Sequence, residues 1–310
     1  MKTILVTGAA GYLGSILVPE LLKKGYKVIC VDNLMYERTS LLSPSIHPNC
    51  EINICDARDK SVMAPLIQRS DVIIPLACMT GAPLCNFDKT AAISTNKDAV
   101  IMCSELSSND QLIIYPCTNS GYGVGQENIM CDEKTPLNPI SLYGKVKVEA
   151  EKILLNKGNA VTFRLATVFG VSPRPRLDLL VNDFTYRAFY DKAIVLFEAH
   201  FKRNYLHIND AVDGFIFAIE NQNLKGDCYN LGYSEANLSK LELCNLIKKY
   251  LPQFVYHCSE IGEDPDKRNY VISNEKIESK GFKAKRSVDL GVQELIKALP
   301  FLKKKEFSNI

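Results

Sequence analysis

Continuous apolar segments alternate with helical patterns through the first half of the chain. The apolar segments are rich in Val, Ile and Leu and do not alternate with polar residues, which is typical of strands buried on both faces of a parallel sheet. They span residues 2–7, 27–32, 50–55, 71–77, 111–117 and 160–166, and the helical segments span 12–24, 59–69, 89–107 and 143–157. This order predicts an α/β fold with a Rossmann-type, doubly wound parallel sheet.

The second half is less regular. A loop rich in Pro and Arg follows Gly170, and a short strand is predicted around the sequence YLHI. Helices are predicted near 178–190, 209–220, 239–250 and 287–299. We therefore predict a large domain over residues 1–170 with a returning segment at about 204–222. A smaller C-terminal α/β domain is predicted over 171–203 and 223–310, as a substrate-binding unit.

Composition excludes several classes of function. The net charge of +2 on 310 residues is too small to indicate nucleic acid or a membrane surface as a partner. The apolar runs are too short to span a bilayer, and the N-terminus enters a strand at once, so a cytoplasmic location is expected. The eleven cysteines form no CxxC pair, which predicts free thiols and no metal site.

The sequence VTGAAGYLG follows the first predicted strand directly. It places Gly8, Gly11 and Gly14 in a turn that opens a helix. Glycine permits a tight turn and close backbone approach, and the helix N-terminus offers free N–H groups to a pyrophosphate. In this strand-turn-helix context the pattern predicts a dinucleotide site.

The end of the second strand indicates which dinucleotide binds. Asp32 can accept hydrogen bonds from both ribose hydroxyls and repels a 2′-phosphate. Asn33 follows, where an enzyme that uses NADP needs a cation. The predicted cofactor is therefore NAD. Asp56, at the end of the third strand, either reaches the adenine or caps the following helix; both interpretations remain open.

Tyr143 and Lys147 are four residues apart on a predicted helix, so both lie on one face. A tyrosine hydroxyl normally has a pKa near ~10. A nearby ammonium and a positively charged nicotinamide favour the phenolate, so we expect the pKa of Tyr143 to be lowered. Tyr143 could then take the proton of a sugar hydroxyl while the carbon loses a hydride to the cofactor.

With these motifs the chain resembles the extended short-chain dehydrogenases/reductases of the nucleotide-sugar epimerase/dehydratase family over essentially its whole length. The matching sequences are TGAAGYLG, LAC at 76–78, TNSGYG, YGKVK, RLATVFG and RNYLHIND. The resemblance implies that Thr118 polarises the reacting hydroxyl. It also implies NAD contacts from further residues: Tyr12, Leu13, Ala57, Leu76 and Ala77.

The resemblance also implies the substrate side, a nucleotide-diphosphate sugar. Arg203 matches a residue that contacts the diphosphate, and Arg268 matches a second such position; two Arg forks suit a diphosphate clamp. The loop residues Arg174 and Arg176, with Asn182, could cover the sugar and its phosphates, and a solvated basic loop is the alternative for the two arginines. Further sugar contacts are expected from three residues: Thr80, Asn119 and Ser120.

Asn119 and Ser120 also limit the chemistry. In the 4,6-dehydratases of the family an Asp-Glu pair follows the Thr and supplies the acid and base for loss of water. Asn transfers no proton usefully, and Ser lacks an evident base. The enzyme is therefore expected to oxidise the sugar and stop, or to oxidise it and reduce it back.

The sequences LMYERTSLL, LACMTGAPLC and SPRPRLDLLVN are similar to a subgroup from bacterial surface-polysaccharide pathways. This resemblance implies oxidation at C4 of a GDP-activated manno-heptose in capsule biosynthesis. A nucleotide-sugar 4-epimerase is the alternative enzyme, and an NAD-sensing regulator is the alternative outside catalysis. A homodimer is expected through the helices at 89–107 and 143–157. A small keto acid would be the acceptor if NADH is not returned to the sugar.

Overall fold

A computed structural model describes residues 1–36, 39–125, 130–262 and 268–302. The strands in this part of the chain are β1 (Thr3–Thr7), β2 (Lys27–Asp32), β3 (Cys50–Ile54), β4 (Val72–Pro75), β5 (Leu112–Thr118), β6 (Met130–Cys131), β7 (Ala160–Leu165), β8 (Thr167–Phe169), β9 (Ala193–Phe197), β10 (Lys202–His207), β11 (Asp227–Leu231), β12 (Asn237–Ser239), β13 (Val255–Ser259) and β14 (Val271–Ile272).

The helices are α1 (Gly14–Lys23), α2 (Leu42–Ser45), α3 (Lys60–Gln68), α4 (Ala82–Phe87), α5 (Lys89–Ile93), α6 (Ala99–Leu106), α7 (Leu142–Lys157), α8 (Leu180–Tyr190), α9 (Ile208–Glu220), α10 (Lys240–Tyr250), α11 (Glu275–Ser279) and α12 (Val288–Ala298). A π-helical turn at Ser94–Asp98 joins α5 to α6, so the predicted helix at 89–107 is one nearly continuous structure. No helix among the described residues is long and apolar enough to cross a membrane.

The predicted parallel sheet is confirmed. Its strands lie in the order β11, β7, β5, β4, β1, β2 and β3, and every neighbouring pair is parallel. Successive side chains of a strand point to opposite faces. In β1, Ile4 and Val6 therefore join the core under α1 and α9, while Leu5 joins the core under α3, α6 and α7. Burial on both faces explains why these strands are continuously apolar.

The strand order places a switch point at the centre of the sheet. β1 lies between β2, which follows it in the chain, and β4, which returns from the other side. In open α/β sheets, ligands bind outside the carboxyl ends of the strands at such a point. The glycine-rich turn after β1, Asp32 at the end of β2 and Thr118 at the end of β5 all lie at this edge.

A second core is formed by α8, α10 and α12 with residues of β9 and β10. From β10 the chain returns to the large sheet through α9. β11 then pairs in parallel with β7, with Leu231 opposite Leu165. The returning segment therefore extends beyond the predicted 204–222, because this edge strand covers the exposed side of β7. Sequence patterns did not predict β9, β11 and β13. They also missed the strands of two or three residues, β6, β8, β12 and β14, which are too short to show a period.

Candidate active site at the carboxyl ends of the sheet strands

A cavity of about 980 Å³ opens at the switch point of the sheet. Loops from both halves of the chain contribute to its wall. The predicted site residues that line it are Gly8, Gly11, Tyr12, Leu13, Gly14, Asp32, Asn33, Asp56, Ala57, Leu76, Ala77, Thr80, Thr118, Ser120, Tyr143, Lys147, Arg174, Arg203 and Arg268. Residues far apart in sequence thus meet at one place, as the fold prediction requires.

The glycine-rich turn leaves no room for side chains. Gly8 has a φ of +64°, and a Cβ there would lie 2.6 Å from the backbone nitrogen of Ala77. A Cβ on Gly14 would lie 2.5 Å from the carbonyl oxygen of Ala9. Among the described residues, no hydrogen bond uses the backbone N–H groups of Tyr12 and Leu13. The turn therefore fits the pyrophosphate of a dinucleotide, which accepts hydrogen bonds from such N–H groups.

Tyr12 ties this turn to the loop after β8. Its buried hydroxyl donates to the carbonyl oxygen of Gly170 at 2.8 Å. Ser172 Oγ donates to the carbonyl oxygen of Tyr12 at 2.8 Å and lies 2.8 Å from Ser15 Oγ. These buried bonds fix the two loops relative to each other, so Tyr12 has a structural role besides lining the cavity.

Asp32 is held by the loops it borders. Its carboxylate accepts from the backbone N–H groups of Ala10 and Leu34, both at 2.9 Å. The side chain is therefore fixed at the cavity wall, where it is placed to accept from the hydroxyls of an adenosine ribose.

Asp56 also lines the cavity and pairs with Arg58, whose Nε is 2.9 Å from Asp56 Oδ1. Arg58 also donates to Ser94 Oγ at 3.1 Å. The helix-cap alternative for Asp56 is wrong: the N-cap of α3 is Asp59, which accepts from the N–H of Ser61. Asp56 lines the cavity together with Arg58, which the sequence analysis did not include.

Thr118 begins a short chain of polar contacts. It caps the 3₁₀ turn Asn119–Tyr122, accepting from the N–H of Ser120 at 3.1 Å. Its hydroxyl donates to Ser120 Oγ at 3.0 Å, and Ser120 Oγ accepts from Arg268. Arg268 therefore lines the cavity and also reaches Ser120, next to Thr118. Residues 264–267, which precede it in the matching segment, lie outside the described residues.

Tyr143 and Lys147 both lie on α7 and line the cavity, as predicted. Lys147 is buried, and its Nζ lies 4.1 Å from the ring centroid of Tyr115. Taken together, the protein's own groups raise the pKa of Tyr143, so the prediction that they lower it is wrong. Burial raises the pKa of Tyr143, and the charge that lowers it is that of Arg176.

Two predicted contacts do not reach the cavity. Asn182 is buried; its Oδ1 accepts from the N–H of Gly170 at 3.0 Å and its Nδ2 donates to the carbonyl oxygen of Arg176 at 2.9 Å. It braces the loop 170–176 and is unsuited to bind sugar. Asn119 is also buried, and its side-chain amide has no hydrogen-bond partner among the described residues.

The arginines of the substrate side are buried in the wall. Arg174 lies over the ring of Tyr36 at 4.1 Å, which joins the loop after β2 to the loop after β8. Arg203 donates to the carbonyl oxygen of Lys202 at 3.1 Å and lies over the ring of Tyr270. The solvated-loop alternative for Arg174 and Arg176 is wrong, because both residues are buried.

A buried ion pair connects α7 to β7. Glu151 on α7 pairs with Arg164 on β7, with Nε 3.0 Å from Oε2, and accepts from Thr162 at 2.9 Å. Arg164 Nη1 also donates to the hydroxyl of Tyr122 at 3.0 Å. This network links the turn after Thr118 to the helix that carries Tyr143.

The chain matches the model of the NAD dependent epimerase/dehydratase family over residues 4–232. It is 30% identical over 266 residues to the uncharacterized UDP-glucose epimerase YtcB of Bacillus subtilis, covering 79% of this chain and 81% of that protein. It is 26% identical over 299 residues to UDP-glucose 4-epimerase 2 of Oryza sativa subsp. japonica, covering 80% and 69%.

A solved structure shows the same fold. The UDP-glucuronic acid 4-epimerase of Bacillus cereus, in complex with UDP-glucuronic acid and NAD, superposes with a TM-score of 0.85 at 22% identity. The match covers 97% of this chain and 100% of that chain. The Rossmann-type fold predicted from the sequence is thereby confirmed.

The fixed carboxylate of Asp32 predicts discrimination between dinucleotides. We expect the protein to bind NAD more tightly than NADP, because the 2′-phosphate would face this negative charge. Asp32→Asn should reduce that preference by about tenfold or more, the size expected when a hydrogen bond to a charged group is lost. Dissociation constants measured by fluorescence titration test this, with the exposed Asp98→Asn as control. A preference unchanged in Asp32→Asn would contradict the assignment.

Proposed function

Because the chain belongs to the NAD-dependent epimerase/dehydratase family, whose cofactor is NAD as predicted, we propose that it oxidises the C4 hydroxyl of a nucleotide-activated sugar. The observation that carries this proposal is the presence of Thr118 and Tyr143 on one cavity with the glycine-rich turn and Asp32. Acid-base chemistry at a sugar hydroxyl needs such groups within reach of the same atom.

The residues divide the work by their chemistry. Tyr143 takes the hydroxyl proton, and Thr118, whose side chain is oriented by Ser120, holds the reacting oxygen. NAD, when bound, accepts the hydride. The C4–H and O–H bonds break and a C=O bond forms, so the sugar loses two electrons and two hydrogens. We propose that Arg203 and Arg268 bind the diphosphate and that Thr80 and Arg174 contact the sugar and its phosphates.

We further propose that no water is eliminated. The residues after Thr118 are Asn119, which is buried, and Ser120, whose hydroxyl contacts Arg268. Neither supplies a carboxyl group that could remove a proton at C5 or protonate a leaving group at C6. Asp178, a carboxylate elsewhere in the wall, is engaged by Arg176. The product should therefore keep its C6 oxygen.

The sugar and the base are proposed from the sequence resemblance. A GDP-activated manno-heptose is our leading substrate, with a role in capsular polysaccharide biosynthesis. If NADH is not returned to the sugar, a small keto acid would be reduced to the hydroxy acid and regenerate NAD. We also propose a homodimer formed through α5, α6 and α7.

A 4-epimerase is the second candidate. It is favoured by the relatives, since both curated proteins compared above carry the name of a UDP-glucose epimerase. An epimerase would use the same Tyr143 and Thr118, but the keto sugar would rotate in the cavity so that the hydride returns to its opposite face. An NAD-sensing regulator is less well supported, because a sensor needs neither Tyr143 nor Thr118.

The mass of the product separates these reactions. The purified protein should be incubated with GDP-, UDP- and dTDP-sugars, with and without a keto acid, and the products analysed by mass spectrometry. We expect a product lighter by two hydrogens. An unchanged mass with a new stereocentre would favour the epimerase, and a product lighter by one water would contradict our interpretation of the loop after Thr118.

A further inference from the structure

An ion pair is buried in the wall of the cavity that Thr118 and Tyr143 also line. Arg176 Nε donates to Asp178 Oδ1 at 3.1 Å, and Nη2 donates to Oδ2. Both side chains are only 10% exposed. Nη1 donates to Thr80 Oγ1 at 2.6 Å, so the guanidinium connects the loop after β8 to the loop after β4. Removing two charges from water is costly, which makes such a pair an unusual choice for a cavity wall.

The backbone around Arg176 is held in place. Its carbonyl oxygen accepts from Asn182 Nδ2, and Asn182 in turn accepts from the N–H of Gly170. Ser172, in the same loop, donates to the carbonyl oxygen of Tyr12. The guanidinium therefore has a fixed position, as a group that recognises a ligand by geometry requires.

Arg176 keeps hydrogen-bonding capacity for a ligand. A guanidinium has five N–H donors, and three of them are used by Asp178 and Thr80. The other two find no acceptor in the part of the chain that the structure describes. Because Arg176 lines the cavity, these donors can serve a bound molecule. Tyr143, the proposed base, lines the same cavity.

We infer that Arg176 and Asp178 determine which sugar binds, by hydrogen-bonding a neutral hydroxyl of the sugar and disfavouring a carboxylate there. This inference rests on the proposed function. Arg176 donates to the hydroxyl oxygen, while Asp178 cancels its charge. A carboxylate in the same place would bring a second negative charge beside Asp178 in a poorly hydrated wall, where like charges repel strongly. The favoured substrate class is therefore a nucleotide sugar with a neutral polyol, in preference to a nucleotide uronate.

Equilibrium binding tests the inference without turnover. Titration calorimetry in the Tyr143→Phe background would compare GDP with GDP-mannose, and UDP with UDP-glucose and UDP-glucuronate. The ratio of the dissociation constant of the nucleoside diphosphate to that of its sugar measures the sugar's contribution. We expect UDP-glucose to bind more tightly than UDP-glucuronate.

Two variants separate the roles of the pair. Arg176→Met should reduce the sugar's contribution by about tenfold or more and leave the affinity for the nucleoside diphosphate within about twofold. Asp178→Asn keeps the shape but leaves the charge of Arg176 uncompensated, so it should shift the preference towards UDP-glucuronate by about tenfold. The matched control is Arg69→Met, which removes a guanidinium paired with Glu51 on the surface.

The outcomes distinguish the inference from the proposed function. If the sugar's contribution to binding is the same in Arg176→Met and Asp178→Asn as in the control Arg69→Met, the inference is overturned and the proposed function still stands. If no nucleotide sugar binds more tightly than its nucleoside diphosphate, both fail. Thermal unfolding identifies a variant that does not fold. If Arg176→Met does not fold, Asp178→Asn and Thr80→Val still test the inference, because both substitutions conserve the volume of the side chain.

Discussion

Tyr143→Phe should lower the rate of sugar oxidation by ~10² to 10⁴, the usual contribution of one positioned acid-base group. The substitution removes only the hydroxyl that accepts the proton, so binding of NAD and of the nucleotide sugar should be nearly unchanged. Burial raises the pKa of Tyr143. Since only the deprotonated form can accept a proton, the wild-type rate should increase with pH above neutrality. Single-turnover formation of NADH, followed by absorbance across a pH series, measures both effects.

The control is Tyr190→Phe, which removes a hydroxyl that donates to the carbonyl oxygen of Leu299, away from the cavity. It should keep the wild-type rate and the wild-type pH profile. If the Tyr143→Phe protein still turned over at a tenth of the wild-type rate, or kept the same pH dependence, another group would have to be the base.

Glu151→Ala should lower the free energy of unfolding by about 3–5 kcal/mol, because breaking a buried ion pair leaves its partner charged and uncompensated. Glu151 is 1% exposed and Arg164 is 7% exposed at the side chain. The hydroxyl of Thr162 would also lose its acceptor. Urea denaturation with linear extrapolation measures the change. The rate of sugar oxidation should fall as well. Glu151 holds Arg164, and Arg164 in turn holds Tyr122 in the turn after Thr118.

The same helix offers a matched control. Glu149→Ala removes an exposed glutamate that pairs with Lys97 at 3.3 Å, and surface pairs contribute only about 0–1 kcal/mol. The double variant Glu151→Met/Arg164→Met should recover part of the loss, since a buried pair can often be replaced by apolar residues without a large cost. Equal destabilisation by Glu149→Ala and Glu151→Ala would contradict the role assigned to the buried pair.

The sequence by itself determined the sheet and the cofactor side of the cavity. Strands buried on both faces must be apolar along their whole length, and the helices between them must carry one apolar face, so local patterns were sufficient. The glycines of the turn and Asp32 were equally predictable, because each follows a strand directly and its place at the sheet edge is set by that strand. Tyr143 and Lys147 share a helix face by their spacing alone.

Only the tertiary structure showed the contacts of the residues that were predicted to bind the sugar. Arg176 contacts Thr80 and Arg268 contacts Ser120 across 96 and 148 residues of chain, and no local pattern encodes such distances. The structural role of Asn182 was not predictable either, because its hydrogen bonds to the backbone of Gly170 and Arg176 form only in the folded chain. The pKa of Tyr143 also depended on packing: the spacing predicted that an ammonium would lower it, but burial of the hydroxyl raises it, and burial is a property of the folded chain.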